Sequence, residues 1–413
     1  MSPESTAGTS TDGASTAGPS TAGPGRIVVA GGGLAGLRTA EELRARGYAG
    51  AVTMIGAEDR PPYDRPPLSK RLMTGQLDDT TLREDMQSLG LELRLGETAT
   101  GLDDGVLRTD RGEHRFDRLV LATGATPIGL PGPGAQRFLR TMGDALTLRA
   151  RLRPGLRLAI VGAGWIGAEL ATAAAASGCR VTVIEAAATP LAAALGTEIG
   201  GLTTGWYAAA GVDLLLGQAV ESVQPGGLAL AGGDWLPADE VVTAVGVRPA
   251  TGWLEGSDVA LDNGVAADEQ LRTSVPGVFA VGDCAAFWSL RYRRRLRFEH
   301  WDVALRAPAV VAANLTGAAE AYDPVPYFWS EQFGRMVQYV GHHEGADRML
   351  MRGDPAAPRW GVCWLAGGAL VALLAVDSPR DLGQGRRLIE AGTPVDPLRL
   401  ADPGISLRDA IIR

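Results

Sequence analysis

From Arg26 onward the chain repeats one hydrophobic pattern: a short, wholly apolar run, a glycine-rich turn, a stretch of helical period, and a second apolar run. Residues 26–30 (RIVVA) lead into Gly31, Gly32, Gly33, Leu34, Ala35 and Gly36, a helical stretch to about Arg46, and the apolar run 51–55. The same order returns 131 residues later: 158–161, then Gly162, Ala163, Gly164, Trp165, Ile166 and Gly167, an Ala-rich helix to Ser177, and a strand at 180–184. Each copy closes on an apolar run that stops at a small pair, Thr123 and Gly124 in the first, Val245 and Gly246 in the second. Runs without polar alternation have no solvated face, so they read as parallel strands covered by helices on both sides. The duplication predicts an α/β fold with two Rossmann-like domains.

Residues 278–283 add another buried strand, ending in Asp283. From about Pro326 the pattern changes: 336–340, 349–352 and 360–376 read as antiparallel strands and 381–391 as a helix, together a C-terminal α+β domain.

A G-x-G-x-x-G turn lets the backbone approach a pyrophosphate, and the helix it opens aims its free N–H groups and positive dipole end at the phosphates. Both matches follow a strand and open a helix, the context that separates the fingerprint from an ordinary tight turn. Two such sites call for two dinucleotides, and hydride transfer from a nicotinamide to a flavin uses both. Glu185 ends the second strand of the later copy, where a carboxylate accepts bonds from ribose hydroxyls. Ala186, Ala187 and Ala188 follow it with no cation for a 2′-phosphate, so NADH is favoured over NADPH. In the first copy Glu58 is the candidate ribose ligand, with an ordinary surface charge as the bland reading.

Composition changes this picture little. The 413 residues carry a net charge of −8, which gives no support for nucleic acid or an anionic membrane as main partner. Cys179, Cys284 and Cys363 form no C-x-x-C pair, which argues against a disulfide scaffold, a zinc site and an internal redox dithiol. Residues 1–25 repeat Ser, Thr, Ala, Gly and Pro without the features of a signal or transit peptide, and read as a disordered tail. No stretch is long and apolar enough to span a bilayer, so the expected compartment is the cytoplasm.

The run Pro62-Tyr63-Asp64-Arg65-Pro66-Pro67-Leu68-Ser69-Lys70 is distinctive. With Ala122-Thr123-Gly124-Ala125, Phe138-Leu139-Arg140-Thr141, Gly282-Asp283-Cys284 and Phe328-Trp329-Ser330, it resembles the FAD-dependent, putidaredoxin-reductase-like ferredoxin reductases of cytochrome P450 and Rieske oxygenase systems. The resemblance implies a glutathione-reductase-like arrangement: an FAD-binding domain at 26–145 and 252–325, an NAD-binding domain at 146–251, and the C-terminal domain at 326–413. It implies Lys70 beside flavin N5, FAD contacts from Arg65, Thr123, Gly124 and Arg140, the Ala99 backbone at the adenine, and Asp283 at the ribityl chain. The Trp301 helix start would approach the flavin pyrimidine edge. Glu169 and Trp165 would lie near the nicotinamide, with Gly246 closing that site, and Trp329 would face the electron acceptor. The bland readings are a helix-surface carboxylate for Glu169 and core aromatics for the two tryptophans.

The chain departs from this family where relatives carry Asn-Ala-x-x-Gln-Gly: here the stretch is Val303-Ala304-Leu305-Arg306-Ala307-Pro308, and Pro308, which removes a helix donor, is expected to kink the segment at the flavin pyrimidine edge. Ala57 stands where some relatives place an acid at the first ribose. The basic run Arg291, Arg293, Arg294, Arg295 and Arg297 reads either as a docking patch for an acidic iron–sulfur ferredoxin or as a hairpin paired with local acids. Alternatives to a ferredoxin reductase are an NADH oxidase or monodehydroascorbate-type reductase on the same scaffold, and a non-turnover NADH-sensing flavoprotein.

Overall fold

A computed structural model describes residues 25–412; the tail expected over 1–25 lies, Gly25 aside, outside the described residues. The apolar runs form two parallel sheets. In the first, five strands stand in the order Val278–Ala280, Arg118–Leu121, Arg26–Ala30, Ala51–Gly56, Glu92–Leu95, all parallel. One face packs on the Leu34–Ala45 and Trp301–Leu315 helices through Ile27, Val29, Val52 and Met54; the other carries Val28, Ile55, Leu119 and Leu121 beneath a three-stranded meander. Both faces are buried, which is why these strands lack polar alternation.

The second sheet has four parallel strands in the order Asp213–Leu216, Arg180–Glu185, Arg157–Val161, Glu240–Thr243, and it too carries its own antiparallel meander. The two halves are tied by a short antiparallel pair, Val247–Pro249 with Ala125–Pro127.

The C-terminal part is a five-stranded antiparallel sheet in the order Tyr327–Gln332, Arg335–Gly341, Ala369–Val376, Trp360–Ala366, Arg348–Arg352, covered by the Pro379–Ala391 helix. The apolar stretch at 360–376 is two strands, because Gly367 and Gly368 take φ of +57° and +79° and turn the chain back. The Tyr327–Gln332 strand and both meanders were not among the elements the pattern marked. The Trp301–Leu315 helix runs unbroken through Pro308.

Among the described residues no helix is long and apolar enough to cross a membrane, and no cluster of His, Cys, Asp or Glu is arranged to hold a metal.

Candidate active site

The glycines of each fingerprint divide by what surrounds them. At Gly31 (φ +134°) a Cβ would lie 2.0 Å from the Ala122 carbonyl oxygen, and at Gly36 one would lie 2.0 Å from that of Gly31. The second copy repeats this: Gly162 (φ +105°) against the Ala244 oxygen at 2.4 Å, and Gly167 against the Gly162 oxygen at 2.0 Å. These four positions are dictated by the protein's own backbone.

Gly33 and Gly164 differ, for a Cβ at either would meet nothing among the described residues within 4 Å. Both are helix N-caps with extended backbone, no capping side chain and no acid in the following turn. Each helix therefore presents unpaired N–H groups to open space beside a position kept free of a side chain, the surroundings a pyrophosphate requires. Leu34 and Ala35 open the first helix; Trp165 and Ile166 open the second, with Ile166 exposed. The residues present fit two dinucleotides.

Around the first turn, the expected FAD ligands form a connected network. Glu58 accepts from the Tyr63 hydroxyl and from Arg65, each at 2.7 Å, so its carboxylate is drawn into the 62–70 run. Arg65 donates onward to the Arg140 carbonyl. Arg140 pairs with Asp283 at 2.7 Å and donates to the Ala125 carbonyl. Gly124 (φ +73°) turns the chain beside the Arg140 guanidinium, and Thr123 donates to the Ala250 carbonyl at 2.8 Å. Asp64 accepts from the Trp301 indole at 2.7 Å; burial raises its pKa, against that bond and the nearby Lys70.

Ala99 stands apart from this network, paired with Thr109 in the first meander, next to a segment docked on the first sheet by bonds from Gly96 to Glu58 and Glu97 to Gly56. In the second half Glu185 accepts from the Ala163 and Ala187 amides at 2.8 Å each, which holds its carboxylate at the rim of the turn. Each carboxylate oxygen has a second lone pair to offer. Gly246 (φ +112°) follows the strand that closes this half.

On the helix that the second turn opens lies Glu169, only 2% exposed. Lys70 meets its Oε2 at 2.8 Å, Ser69 donates to the same oxygen, and Ser330 of the C-terminal sheet donates to Oε1 at 2.6 Å. A carboxylate expected beside the nicotinamide is thus buried and held by three donors inside the protein. Trp329, next to Ser330, packs edge-on against Trp301 at 5.7 Å and stacks with Tyr327 at 5.9 Å. Trp165 lies 4.8 Å from Phe328. His300, the N-cap of the Trp301–Leu315 helix, lies between Phe298 and Phe328, and its buried Nδ1 has no partner among the described residues. Burial lowers its pKa to about 4 despite the nearby Asp283. Ser69, Asp64, Ser330 and His300 received no role from sequence, although all but His300 stood inside quoted motifs.

The basic run is a hairpin edge. Arg291 donates to the Ile389 carbonyl, Arg294 pairs with Glu344 at 2.6 Å, Arg295 bonds the Ala267 and Ala286 carbonyls, and Arg297 pairs with Glu299 at 2.7 Å. Arg293 is exposed at φ +53° and makes no such bond among the described residues.

Residues 25–307 match the profile of the pyridine nucleotide-disulphide oxidoreductases. The chain belongs to that family. Residues 327–411 match a second profile, the reductase C-terminal domain. Among curated relatives, the ferredoxin–NAD(+) reductase component of the anthranilate 1,2-dioxygenase system of Burkholderia cepacia is 38% identical over 400 residues, covering 92% of this chain and 98% of the relative. Putidaredoxin reductase of Pseudomonas putida is 32% identical over 406 residues, covering 93% and 96%. Of solved structures, Fdr9 superposes with a TM-score of 0.89 at 49% identity, covering 92% of this chain and 99% of that one. The reductase in a covalent putidaredoxin reductase–putidaredoxin complex gives 0.88 at 32% identity, covering 93% and 97%. Like other members of the pyridine nucleotide-disulphide oxidoreductases, this chain is an oxidoreductase, and its cofactors are FAD and NAD.

Proposed function

We propose that the protein is an NADH:ferredoxin reductase, taking hydride from NADH and passing single electrons to an iron–sulfur ferredoxin that feeds a cytochrome P450 or Rieske oxygenase. The observation that carries the reading is the chain of bonds through Glu169. It joins the helix of the second fingerprint to Lys70 on one oxygen and to the strand of Trp329 on the other. Donor side, flavin side and acceptor side thus share one buried group.

In this reading the first fingerprint, with Glu58, Arg65, Ala99, Thr123, Gly124, Arg140, Asp283 and Trp301, holds FAD. The second, with Trp165, Ile166, Glu185 and Gly246, takes NADH, and Glu185 disfavours a 2′-phosphate by charge. When bound, FAD supplies the conversion between two-electron and one-electron transfer. Lys70 holds positive charge where reduction adds negative charge, Glu169 fixes Lys70, and Trp329 packs the route toward the acceptor. The three cysteines are buried and unpaired, in keeping with the cytoplasm as the compartment and with an external carrier as destination.

For the ferredoxin we propose docking through the arginine hairpin. The internal bonds of Arg291, Arg294, Arg295 and Arg297 hold the hairpin in shape, which leaves Arg293 as the outward charge. Exposed Trp288 (39%) and Leu290 (50%) flank it with apolar surface. NADH-driven cytochrome c reduction, run with a panel of ferredoxins across a salt series, tests both ideas. Reduction should become fast only with a cognate ferredoxin and weaken with salt; rapid oxygen consumption without one would mark an oxidase instead. Arg293→Glu should lower the association rate about tenfold at low salt and flatten the salt dependence. An unchanged salt slope would remove the hairpin from the interface.

A further inference from the structure

We infer that Ser330, on the C-terminal sheet, is a positioning residue for hydride transfer: it orients the Glu169 carboxylate and, through it, the Lys70 ammonium. The inference rests on the reading that Lys70 serves the flavin.

The two oxygens of Glu169 are treated differently. Oε2 receives Lys70 at 2.8 Å and Ser69, neighbours in the same run of chain. Oε1 has a single partner among the described residues, Ser330 at 2.6 Å. Anchored on one oxygen only, a carboxylate can still rotate about its Cγ–Cδ bond and carry its cation with it; a donor on the other oxygen removes that freedom. Ser330 is itself fully buried and is held by Gln332, also fully buried, whose amide donates to the Ser330 hydroxyl at 3.2 Å. The chain runs from Gln332 through Ser330 to the carboxylate by direct bonds, and a low local dielectric strengthens each link.

The strand is also fixed against the same helix at a second point. Three residues beyond Ser330, the Phe333 amide donates to the Thr172 hydroxyl at 2.9 Å, and its ring packs 4.6 Å from Tyr207. Thr172 lies about one turn from Glu169 on the Trp165–Ala176 helix. Phe333 adopts φ +51°, a region bulky side chains seldom occupy, so the hairpin turn is held in an unfavourable conformation where it meets the helix. Two anchors one turn apart fix both the position of Ser330 along the helix and its distance from it. The C-terminal sheet therefore supplies the last constraint on the Lys70 charge.

A purely structural role would have Ser330 do no more than satisfy a buried acceptor. The two roles separate in a set of FAD-loaded variants, Ser330→Ala, Glu169→Gln, the double variant and Lys70→Met. Each is measured by single-turnover reduction with NADH, by equilibrium titration of the flavin midpoint potential without NADH, and by thermal melting. Ser330→Ala should slow hydride transfer about tenfold, the factor one charge-assisted hydrogen bond commands. NADH affinity should stay within about threefold, because uniform binding is untouched. The midpoint potential should fall by about 30 mV, a tenfold change for a two-electron couple. The double variant should be no slower than Glu169→Gln, since Ser330 acts only through that carboxylate.

Wild-type rate and potential in Ser330→Ala would overturn the inference. So would additive losses in the double variant, or a rate loss matched by equal losses of NADH affinity and melting temperature. If Lys70→Met also reduces at the wild-type rate, the assignment of Lys70 to the flavin fails and the inference falls with it. If Lys70→Met is slow while Ser330→Ala is not, the inference alone is lost.

Discussion

At the residue scale, the groups that stand out physically are the buried polar ones. His300 is uncharged at neutral pH because burial among aromatic rings, with no partner for Nδ1 among the described residues, lowers its pKa to about 4 from the usual 6.5. Between those values the unfolded chain binds the proton and the native state does not, so the His300 contribution to stability is fully present above about pH 6.5 and is lost as pH falls toward 4. The imidazole contributes at most about 3 kcal/mol to that loss. Chemical denaturation of His300→Gln across this range should show a flatter acid limb than wild type; an unchanged limb would mean the imidazole titrates normally. Glu169 was nameable from its place after the second fingerprint, but its partners were not. Ser330 is 161 residues away in sequence, and nothing in a Phe-Trp-Ser triplet says that its hydroxyl reaches a carboxylate in another half of the molecule. Glu58 shows the same limit from the other side: an acid at the right position in the chain is engaged by Tyr63 and Arg65, which lie five and seven residues on.

At the element scale, the parallel strands and fingerprint helices were legible because burial on both faces removes polar residues and leaves continuous apolar runs. The meanders escaped because their strands are short and half-solvated, with patterns such as exposed–exposed–intermediate–exposed over Gly112–Arg115. The loss of a helix donor at Pro308 predicts a kink, yet the helix continues, and Asp302 pairs at 2.6 Å with Arg306, two residues before the proline. The glycine turns yield a sharper test. Gly33→Ala and Gly164→Ala bring a methyl group within 4 Å of no neighbouring atom of the described residues, so both apoproteins should be within about 1 kcal/mol of wild type in stability, the usual range for helix-end substitutions. Gly33→Ala should weaken FAD binding, and Gly164→Ala should raise the Kd for NADH while keeping FAD. Gly31→Ala, aimed at a carbonyl oxygen 2.0 Å away, should instead disrupt the fold. Equilibrium dialysis for each cofactor, set beside the melting curves, distinguishes them; a destabilised Gly33→Ala apoprotein would show that the open space is needed by the chain itself.

At the scale of the whole molecule, the parts share buried cores, Tyr63, Leu68 and Leu72 with Leu158 and Leu170, and Leu195 and Ile199 with Val337 and Trp360. Specific contacts add to them: the short strand pair at Ala125–Pro127, the Glu169 cluster and the Phe333 turn. The duplication and the change of pattern near Pro326 made this architecture visible in outline. The way the C-terminal strand reaches the centre was not visible, because it depends on which hairpin edge faces inward.

The first sheet has one further property with a consequence for how the protein is made. Its edge strand, Val278–Ala280, pairs with Arg118–Leu121, so a ribosome must synthesise the entire four-stranded sheet before the first sheet can close. At about 5–20 residues per second that wait lasts on the order of 10–30 s. During it, the edge of Arg118–Leu121, with Leu119, Val120 and Leu121 fully buried in the finished protein, is without its neighbour. The later half, contiguous in the chain, should therefore mature first. Pulse proteolysis of nascent chains stalled near residue 300 should release a protected fragment that begins close to Arg157, with the upstream region still cleavable. Exposed for that interval, the upstream half is where a chaperone would bind, and where a slowly translated or truncated message would send the product toward aggregation.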